Sequence, residues 1–248
     1  MKYTITLFCA LTLASFAPLP KKVRIWMAGD STMSVKDTRA YPETGWGMPF
    51  VYFFDSTIQV ENLAKNGRST RTFISEGLWQ QIASQASEGD YVLIQFGHND
   101  ESKEKTDRYT TPEEYKANLT RFVQEARARK ATPILLTPVS RRKFVDGKAV
   151  ATHEHYAPLV KEVAAALQVP LIDLDTQSRE LYQQLGEEAS KLLFLQVKPG
   201  EHPNYPEGKT DNTHFSELGA RLIAEIVLHN LQAMPISLKE HLIKPVKK

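Results

Sequence analysis

Four short polar stretches of this 248-residue sequence carry side chains that are suited to catalysis. They are Gly29-Asp30-Ser31-Thr32, Asn66-Gly67-Arg68, Gly97-His98-Asn99-Asp100 and Asp211-Asn212-Thr213-His214. Each stretch alone is typical of an ordinary loop, because Gly, Asn, Asp and Ser are common turn residues. Three of them directly follow short apolar runs and the fourth precedes the last helical segment. This order along the chain indicates that they share one site.

The residue types predict nucleophilic attack by a serine on an ester carbonyl. Serine is a weak nucleophile at neutral pH, so Ser31 needs a base that takes its proton, and His214 is the candidate base. Asp211 lies three residues before His214, where both side chains can share one side of a turn, and its carboxylate can orient the imidazole and stabilise the imidazolium. Two structural interpretations stay open: Asp211 caps the following helix, or His214 is an ordinary packed histidine.

The apolar pattern predicts the elements that must position these residues. Five short apolar runs, at 23–28, 58–63, 91–96, 134–137 and 169–174, are typical of strands that are buried on both faces. Segments 111–129, 155–167, 176–185 and 216–231 have helical periodicity, and the first begins with a capping box at Thr111, Pro112 and Glu114. Alternating strands and helices predict an α/β fold, with a five-stranded parallel sheet between two helical layers and the site at the carboxyl ends of the strands. Residues 232–248 are predicted to form a terminal extension over the surface.

The four stretches together resemble the sequence blocks of the SGNH (GDSL-like) hydrolase superfamily, over nearly all of residues 23–231. Thr32 replaces the leucine of the family name. Together with the third and fourth stretches, around Asn99 and His214, this makes the sequence look like the rhamnogalacturonan acetylesterase branch. The resemblance implies a three-layer flavodoxin-like fold and serine esterase activity, with no cofactor and no metal. It also implies an oxyanion hole made by the backbone N–H groups of Ser31 and Gly67 and by the Asn99 side-chain amide.

Three residues beside these groups are predicted to support them. Asp30 precedes the serine, and we expect its carboxylate to hold the loop by accepting backbone N–H groups. His98 and Asp100 flank Asn99, and we expect them to fix its amide by hydrogen bonding, with His98 also a candidate for substrate contact.

Further residues are candidates for binding a sugar. Trp46 either stacks on a sugar ring or packs under the first helix. The Pro- and Gly-rich segment 198–209 predicts a shaped loop beside Asp211, in which His202 or Tyr205 lines a sugar-binding groove. The basic run 141–143 is interpreted as a solvated loop, the alternative being contact with an anionic substrate.

Composition excludes several classes of protein. The chain is 42% hydrophobic and 24% charged, which is typical of a globular protein, and we expect residues 18–248 to form one catalytic domain. The formal charge of +2 is spread along the chain, which argues against a nucleic-acid partner. The only cysteine is Cys9, so the predicted domain contains no disulfide, thiolate zinc site or cysteine nucleophile.

Residues 1–17 are typical of a secretory signal peptide. Lys2 precedes an apolar segment at 5–14. The small residues Ser15 and Ala17 follow and predict a cleavage site near Ala17. The apolar segment is too short to span a bilayer. We therefore expect the mature protein to be secreted or periplasmic, without a membrane span.

These observations lead to one principal functional hypothesis and three alternatives. The principal hypothesis is a secreted serine esterase that removes O-acetyl groups from an acetylated plant cell-wall polysaccharide or oligosaccharide, namely rhamnogalacturonan of pectin, through an acetyl-serine intermediate. The first alternative is an acetylxylan esterase or another SGNH esterase or lipase. The second is a metal-dependent phosphoesterase that uses the Asp, His and Asn side chains of the blocks as ligands. The third is a non-catalytic carbohydrate-binding protein. The oligomeric state is left open.

Overall fold

The computed structural model describes residues 22–244, and the predicted signal peptide lies outside them. The strands are β1 Val23–Gly29, β2 Ile58–Asn62, β3 Tyr91–Gln95, β4 Thr132–Leu136, β5 Phe144–Val145, β6 Lys148–Ala149, β7 Leu171–Ile172, β8 Phe194–Val197 and β9 Lys209–Phe215. Five of them form the central sheet, in the order β2-β1-β3-β4-β7, and every neighbouring pair is parallel. The predicted five-stranded parallel sheet is therefore confirmed.

Helices connect the strands of the sheet. They are α1 Gly47–Phe50, α2 Thr70–Ser75, α3 Leu78–Gln85, α4 Pro112–Ala128, α5 Tyr156–Leu167, α6 Leu174–Ala189 and α7 Glu217–Ala233. The four predicted helices are confirmed as α4 to α7. The last strand of the sheet is shorter than predicted because Asp173 caps the next helix, accepting a hydrogen bond from the backbone N–H of Thr176, so that α6 begins at Leu174.

Side chains alternate between the two faces of the sheet and build two hydrophobic cores. On β1, Ile25 and Met27 join the core that is covered by α1, α6 and α7. Trp26 and Ala28 join the opposite core, which is covered by α2, α3, α4 and α5. Since both faces are buried, the strands carry near-continuous apolar runs instead of alternating polar residues. The fold has the three layers that the sequence predicts.

The sheet brings three of the polar blocks to one edge. Strands β1, β2 and β3 are adjacent and parallel, so the loops after Gly29, Asn62 and Gln95 leave from the same side. The fourth block lies on β9, which pairs antiparallel with β8 in a separate two-stranded sheet. The backbone N–H of Thr44 donates to the Phe215 carbonyl and ties β9 to the loop before α1. Asp211 and His214 lie within β9, in the part between Thr210 and Phe215 where the register with β8 shifts.

Residues 232–244 were predicted to extend over the surface, but part of this segment packs into the core. Ser237–His241 forms a 3-10 turn, and within it the side chain of Leu238 is buried in the core. Leu242 pairs with Phe54 in an isolated antiparallel bridge. Apolar side chains among the basic and proline residues explain this packing. Within residues 22–244, none of the helices combines the length and apolar character needed to cross a membrane.

The capping box of α4 provides a test of the fold. The Thr111 hydroxyl accepts a hydrogen bond from the Glu114 N–H at 3.2 Å, and the Glu114 carboxylate accepts one from the Thr111 N–H at 3.1 Å. We expect Thr111→Ala to lower the free energy of unfolding by about 1 kcal/mol. Thermal unfolding should show a midpoint lower by about 2 to 4 °C. Thr120→Ala, in the interior of the same helix, is the control and should not destabilise; equal losses in both variants would contradict the cap.

Candidate active site

A line of hydrogen bonds joins three residues from the two ends of the chain. The Ser31 hydroxyl oxygen lies 2.9 Å from His214 Nε2, and His214 Nδ1 lies 2.8 Å from Asp211 Oδ2. The other carboxylate oxygen, Asp211 Oδ1, accepts backbone N–H groups from Thr213 at 2.7 Å and from His214 at 2.9 Å. Both carboxylate oxygens are therefore occupied, and the ring is held with Nε2 towards the serine.

The carboxylate of Asp211 is ionised at neutral pH. Burial by itself raises the pKa of Asp211, but the hydrogen bonds from the His214 ring and from two backbone N–H groups outweigh it. The pKa of Asp211 consequently lies well below its ordinary value. A fixed negative charge beside Nδ1 favours an imidazolium, so His214 is well placed to take the proton of Ser31.

A buried polar chain holds the turn that carries Ser31. Asp30 Oδ1 accepts hydrogen bonds from the N–H of Thr32 at 2.9 Å and from its hydroxyl at 2.8 Å. The Gln95 side chain donates to the Thr32 hydroxyl at 2.7 Å and accepts from the Trp46 indole at 2.7 Å. Burial raises the pKa of Asp30, although the hydrogen bonds from Thr32 oppose it. A leucine in place of Thr32 would break this chain.

Trp46 is a packing residue. Its side chain is fully buried in the core beside Phe50, and its only polar atom is bonded to Gln95. No face of the indole is exposed to a sugar, which corrects the predicted stacking role.

The two predicted oxyanion donors other than Ser31, at Gly67 and Asn99, lie in loops that contact each other. Gly67 has a φ of +77°, and a Cβ there would lie 3.0 Å from Nη1 of Arg108, so the turn requires glycine. The Asn99 amide nitrogen donates to the Arg68 carbonyl at 3.0 Å, and the Asn99 oxygen lies 3.5 Å from Arg108 Nη1. An amide nitrogen carries two hydrogens. The described contacts use one of them, so the other can donate to a ligand.

Lys36 joins the serine turn to the glycine turn, a role that sequence analysis missed. Its side chain is only 2% exposed, and Nζ donates to the Ser31 carbonyl at 2.5 Å and to Asn66 Oδ1 at 2.7 Å. The third contact is an ion pair with Glu43 at 2.8 Å. Burial lowers the pKa of Lys36, while Glu43 opposes the shift. Since Asn66 precedes Gly67, the lysine couples the positions of two backbone donors. In the sequence, only the short distance of five residues from Ser31 could have indicated that Lys36 lies near the site.

His98 and Asp100 do not fix the Asn99 amide, which corrects that expectation. The His98 ring packs edge-on against His153 with centroids 4.3 Å apart, and neither of its nitrogens has a hydrogen-bond partner among residues 22–244. Burial holds the pKa of His98 well below its ordinary value. Asp100 accepts the N–H of Thr70 at 2.9 Å and its hydroxyl at 2.6 Å, which anchors the start of α2. Burial raises the pKa of Asp100 to about 7.

The loop at 198–208 is held by hydrogen bonds to residues 38–41. The Tyr205 hydroxyl donates to the Ala40 carbonyl at 2.7 Å, and the Asn204 amide donates to the Tyr41 carbonyl at 2.9 Å. Tyr205 therefore holds the loop against residues 37–41. His202 contacts the Tyr41 ring at 5.4 Å between centroids and lines an open groove. Other residues that line the groove are Lys36, Asp37, Tyr52, Asn204 and Leu218.

Arg141 and Arg142 of the basic run brace β9, which corrects their interpretation as part of a solvated loop, whereas Lys143 is exposed as expected. Arg142 is buried; its backbone N–H donates to the Asn212 carbonyl at 2.8 Å and its guanidinium to Asn212 Oδ1 at 3.2 Å. Arg141 donates to the Thr213 hydroxyl at 3.0 Å and pairs with Glu101 at 3.4 Å. Asn212 and Thr213 lie between Asp211 and His214. The two arginines therefore hold this segment of β9 in place.

The family of the chain follows from a match to a family model over residues 27–222. The model is described as the GDSL-like Lipase/Acylhydrolase family, and the matched span contains all five of Ser31, Gly67, Asn99, Asp211 and His214. The chain belongs to this family. It is an ester hydrolase.

Curated relatives of this hydrolase are named as acetylesterases. The chain is 42% identical over 226 residues to rhamnogalacturonan acetylesterase RhgT of Bacillus subtilis strain 168, covering 91% of this chain and 96% of the relative. It is 35% identical over 221 residues to the probable rhamnogalacturonan acetylesterase YesY of the same organism, covering 89% of this chain and 97% of the relative.

Solved structures share the fold of this hydrolase. The crystal structure of the Bacillus subtilis protein YxiM superposes with a TM-score of 0.76 at 25% identity, and the match covers 88% of this chain and 58% of that one. The acetylxylan esterase Axe2 from Geobacillus stearothermophilus superposes with a TM-score of 0.60 at 18% identity, covering 86% of this chain and 96% of that one. At this identity the second match shows the fold alone.

The ionised Asp211 predicts a pH-dependent contribution to stability. Because its folded pKa is depressed, its contribution is complete above the ordinary aspartate pKa of about 4 and is lost as the pH falls towards the folded value. We expect Asp211→Asn to lower kcat by about 10²- to 10⁴-fold, since the imidazolium loses its partner. Urea unfolding should show a difference between wild type and variant at pH 7 that shrinks below pH 4. A difference that stays constant between these pH values would contradict a depressed pKa.

Substitution of Lys36 is expected to lower both kcat and stability, and the two losses can be separated. Lys36→Met leaves the half-buried Glu43 carboxylate without its cation, so we expect a cost of about 3 to 5 kcal/mol in the free energy of unfolding. The double variant Lys36→Met/Glu43→Gln removes that unpaired charge and should recover much of the stability.

The two effects are measured on the folded double variant. We expect its kcat for a small acetyl ester to stay at least about 10-fold below wild type with little change in KM, because the two donor turns are no longer coupled. Recovery of kcat together with stability would show that Lys36 acts only on folding.

Proposed function

We propose that this enzyme is a serine carbohydrate esterase that removes O-acetyl groups from rhamnogalacturonan. The observation that carries the proposal is the hydrogen-bonded line from Ser31 through His214 to Asp211. The 42% identity to RhgT over nearly the full length of both chains supports the choice of substrate.

The first half of the proposed reaction transfers the acetyl group to the enzyme. The Ser31 oxygen attacks the acetyl carbonyl carbon while its proton moves to His214 Nε2, and Asp211 stabilises the imidazolium. The carbonyl oxygen becomes an oxyanion that accepts hydrogen bonds from the N–H groups of Ser31 and Gly67 and from the Asn99 amide. The intermediate collapses as the bond to the sugar oxygen breaks. That oxygen takes the proton from His214, and acetyl-Ser31 remains.

The second half regenerates the serine. A water molecule gives a proton to His214 Nε2 and attacks the acetyl carbonyl carbon of acetyl-Ser31. The same donors stabilise the second oxyanion. The bond between the acetyl carbon and Ser31 Oγ breaks, Oγ takes back the proton from His214, and acetate leaves. Asp211 keeps its position throughout, because both of its oxygens are hydrogen-bonded within its own strand.

A polymeric substrate agrees with the surroundings of the site. The groove lined by Tyr41, Tyr52 and His202 is open, and the exposed rings of Tyr41 and Tyr52 offer flat apolar faces for sugar rings. The predicted signal peptide at 1–17 would take the enzyme to the secreted or periplasmic space where such polymers are found. Within residues 22–244, no cluster of three or more His, Cys, Asp or Glu side chains is suited to a metal ion.

Acetate release tests the proposal directly. Wild-type enzyme should release acetate from acetylated rhamnogalacturonan in preference to acetylated xylan and mannan, and it should hydrolyse p-nitrophenyl acetate. We expect Ser31→Ala to lower kcat on every one of these esters by at least about 10³-fold, because the nucleophile is lost. Mass spectrometry of wild type quenched during turnover should show one added acetyl group on the peptide that contains Ser31.

The control separates loss of chemistry from loss of folding. Ser84→Ala removes a hydroxyl on α3 that donates to the Gln81 carbonyl of the same helix. This variant should retain hydrolysis, whereas Ser31→Ala should keep the wild-type circular dichroism spectrum without activity. Full activity in Ser31→Ala, or labelling at another residue, would exclude the serine mechanism.

A further inference from the structure

Arg108 lies beside Gly67 and Asn99, the two proposed oxyanion donors other than Ser31. Arg108 belongs to the loop between β3 and α4, and its Nη1 is 3.5 Å from Asn99 Oδ1. The same nitrogen would be 3.0 Å from a Cβ placed on Gly67. The Arg108 side chain is 29% exposed, so its guanidinium is accessible to a bound molecule. Arg108 therefore places a positive charge beside Gly67 and Asn99.

The other arginines near the site already have strong partners. Arg68 pairs with Glu76 at 2.9 Å and donates to the Asn66 carbonyl at 2.7 Å. Arg141 is held by the Thr213 hydroxyl at 3.0 Å and by Glu101 at 3.4 Å.

Arg108 differs in the weakness of its ion pair. Its carboxylate partner is the preceding residue, Asp107, at 3.3 Å and with 69% of that side chain exposed. Exposed pairs of this kind contribute about 0 to 1 kcal/mol. A carboxylate that arrives with the substrate can therefore replace Asp107 at small cost.

We propose that Arg108, whose carboxylate partner is more exposed than those of Arg68 and Arg141, binds a carboxylate of the polysaccharide next to the sugar that carries the acetyl group. A guanidinium matches a carboxylate through two parallel hydrogen bonds, whereas an acetyl ester is neutral and needs no cation for binding. Arg108 is then a specificity-determining residue that selects acidic polysaccharides, in which uronate sugars alternate with or neighbour acetylated sugars, over neutral ones. The inference rests on the proposed function for its acetylated polysaccharide and adds the requirement for charge.

The test compares one oligosaccharide in two charge states. Acetylated rhamnogalacturonan oligosaccharide is used as the free uronate and with its carboxyl groups methyl-esterified, and kcat/KM is measured for both at low ionic strength. Wild type should prefer the charged form by at least about 10-fold, and added NaCl should reduce this preference. Arg108→Gln should lower the preference by about 10- to 100-fold, mainly through KM for the charged form. Arg108→Lys should give an intermediate value, since it keeps the charge without the planar fork.

The matched control carries the same change of net charge elsewhere. Arg121→Gln removes an arginine that pairs with Glu125 on α4, and it should keep the wild-type preference. Equal losses on both forms in Arg108→Gln would overturn the proposal, because Arg108 would then act by supporting Asn99. A wild type that hydrolyses both forms equally would also overturn it, while leaving the acetylesterase activity intact.

A binding measurement separates failure of this proposal from failure of the proposed function. If wild type releases acetate from neither form yet hydrolyses p-nitrophenyl acetate, the proposed function fails. Calorimetry with the deacetylated uronate oligosaccharide then decides on Arg108 alone. Binding by wild type that is lost in Arg108→Gln and kept in Arg121→Gln supports the carboxylate site, and equal binding by all three proteins, or by none, refutes it.

Discussion

The contact between the Ser31 hydroxyl and His214 Nε2, at 2.9 Å, is the constraint on which the rest of the site depends. The two residues are 183 positions apart, so no local structure brings them together. Ser31 is set by the end of β1 in the parallel sheet. His214 is set by β9, which lies outside that sheet and is held by β8, by Thr44 and by the two arginines at 141 and 142. A shift in either support would separate the base from its nucleophile.

Many polar side chains around this contact are buried and hydrogen-bond to one another. Buried donors and acceptors are costly when unpaired, so each contact also specifies one arrangement of the turns. Thr32, Gln95 and Trp46 hold the serine turn from below, and Lys36 links that turn to Asn66 from the side. The result is a set of donors that is in place before substrate binds, which is the condition for stabilising a developing oxyanion.

Much of the fold could be predicted from the sequence, because buried parallel strands and amphipathic helices leave a periodic apolar signal. The capping box of α4 is a local motif and was found at its correct residues. The β8–β9 pair and the packing of Leu238 were missed, since they join segments that are not adjacent in the chain. The β5–β6 hairpin was missed although its Asp146-Gly147 turn is a local signal. The exposure of a side chain is equally non-local, which is why Trp46 and Arg142 are buried where a sugar contact and a solvated loop were expected.

The sequence by itself determined the chemical groups of the site and the order of the elements that carry them. Ser31 and the Asp211–His214 pair were candidates because their types and spacing suit acyl transfer, and Gly67 and Asn99 were candidates through the resemblance to SGNH hydrolases. Only the tertiary structure decided which side chains support them, because those contacts join loops that are remote in the chain. Lys36 bonded to Asn66, Arg108 against Gly67 and Asp100 bonded to Thr70 instead of Asn99 all follow from how the loops pack at one edge of the sheet.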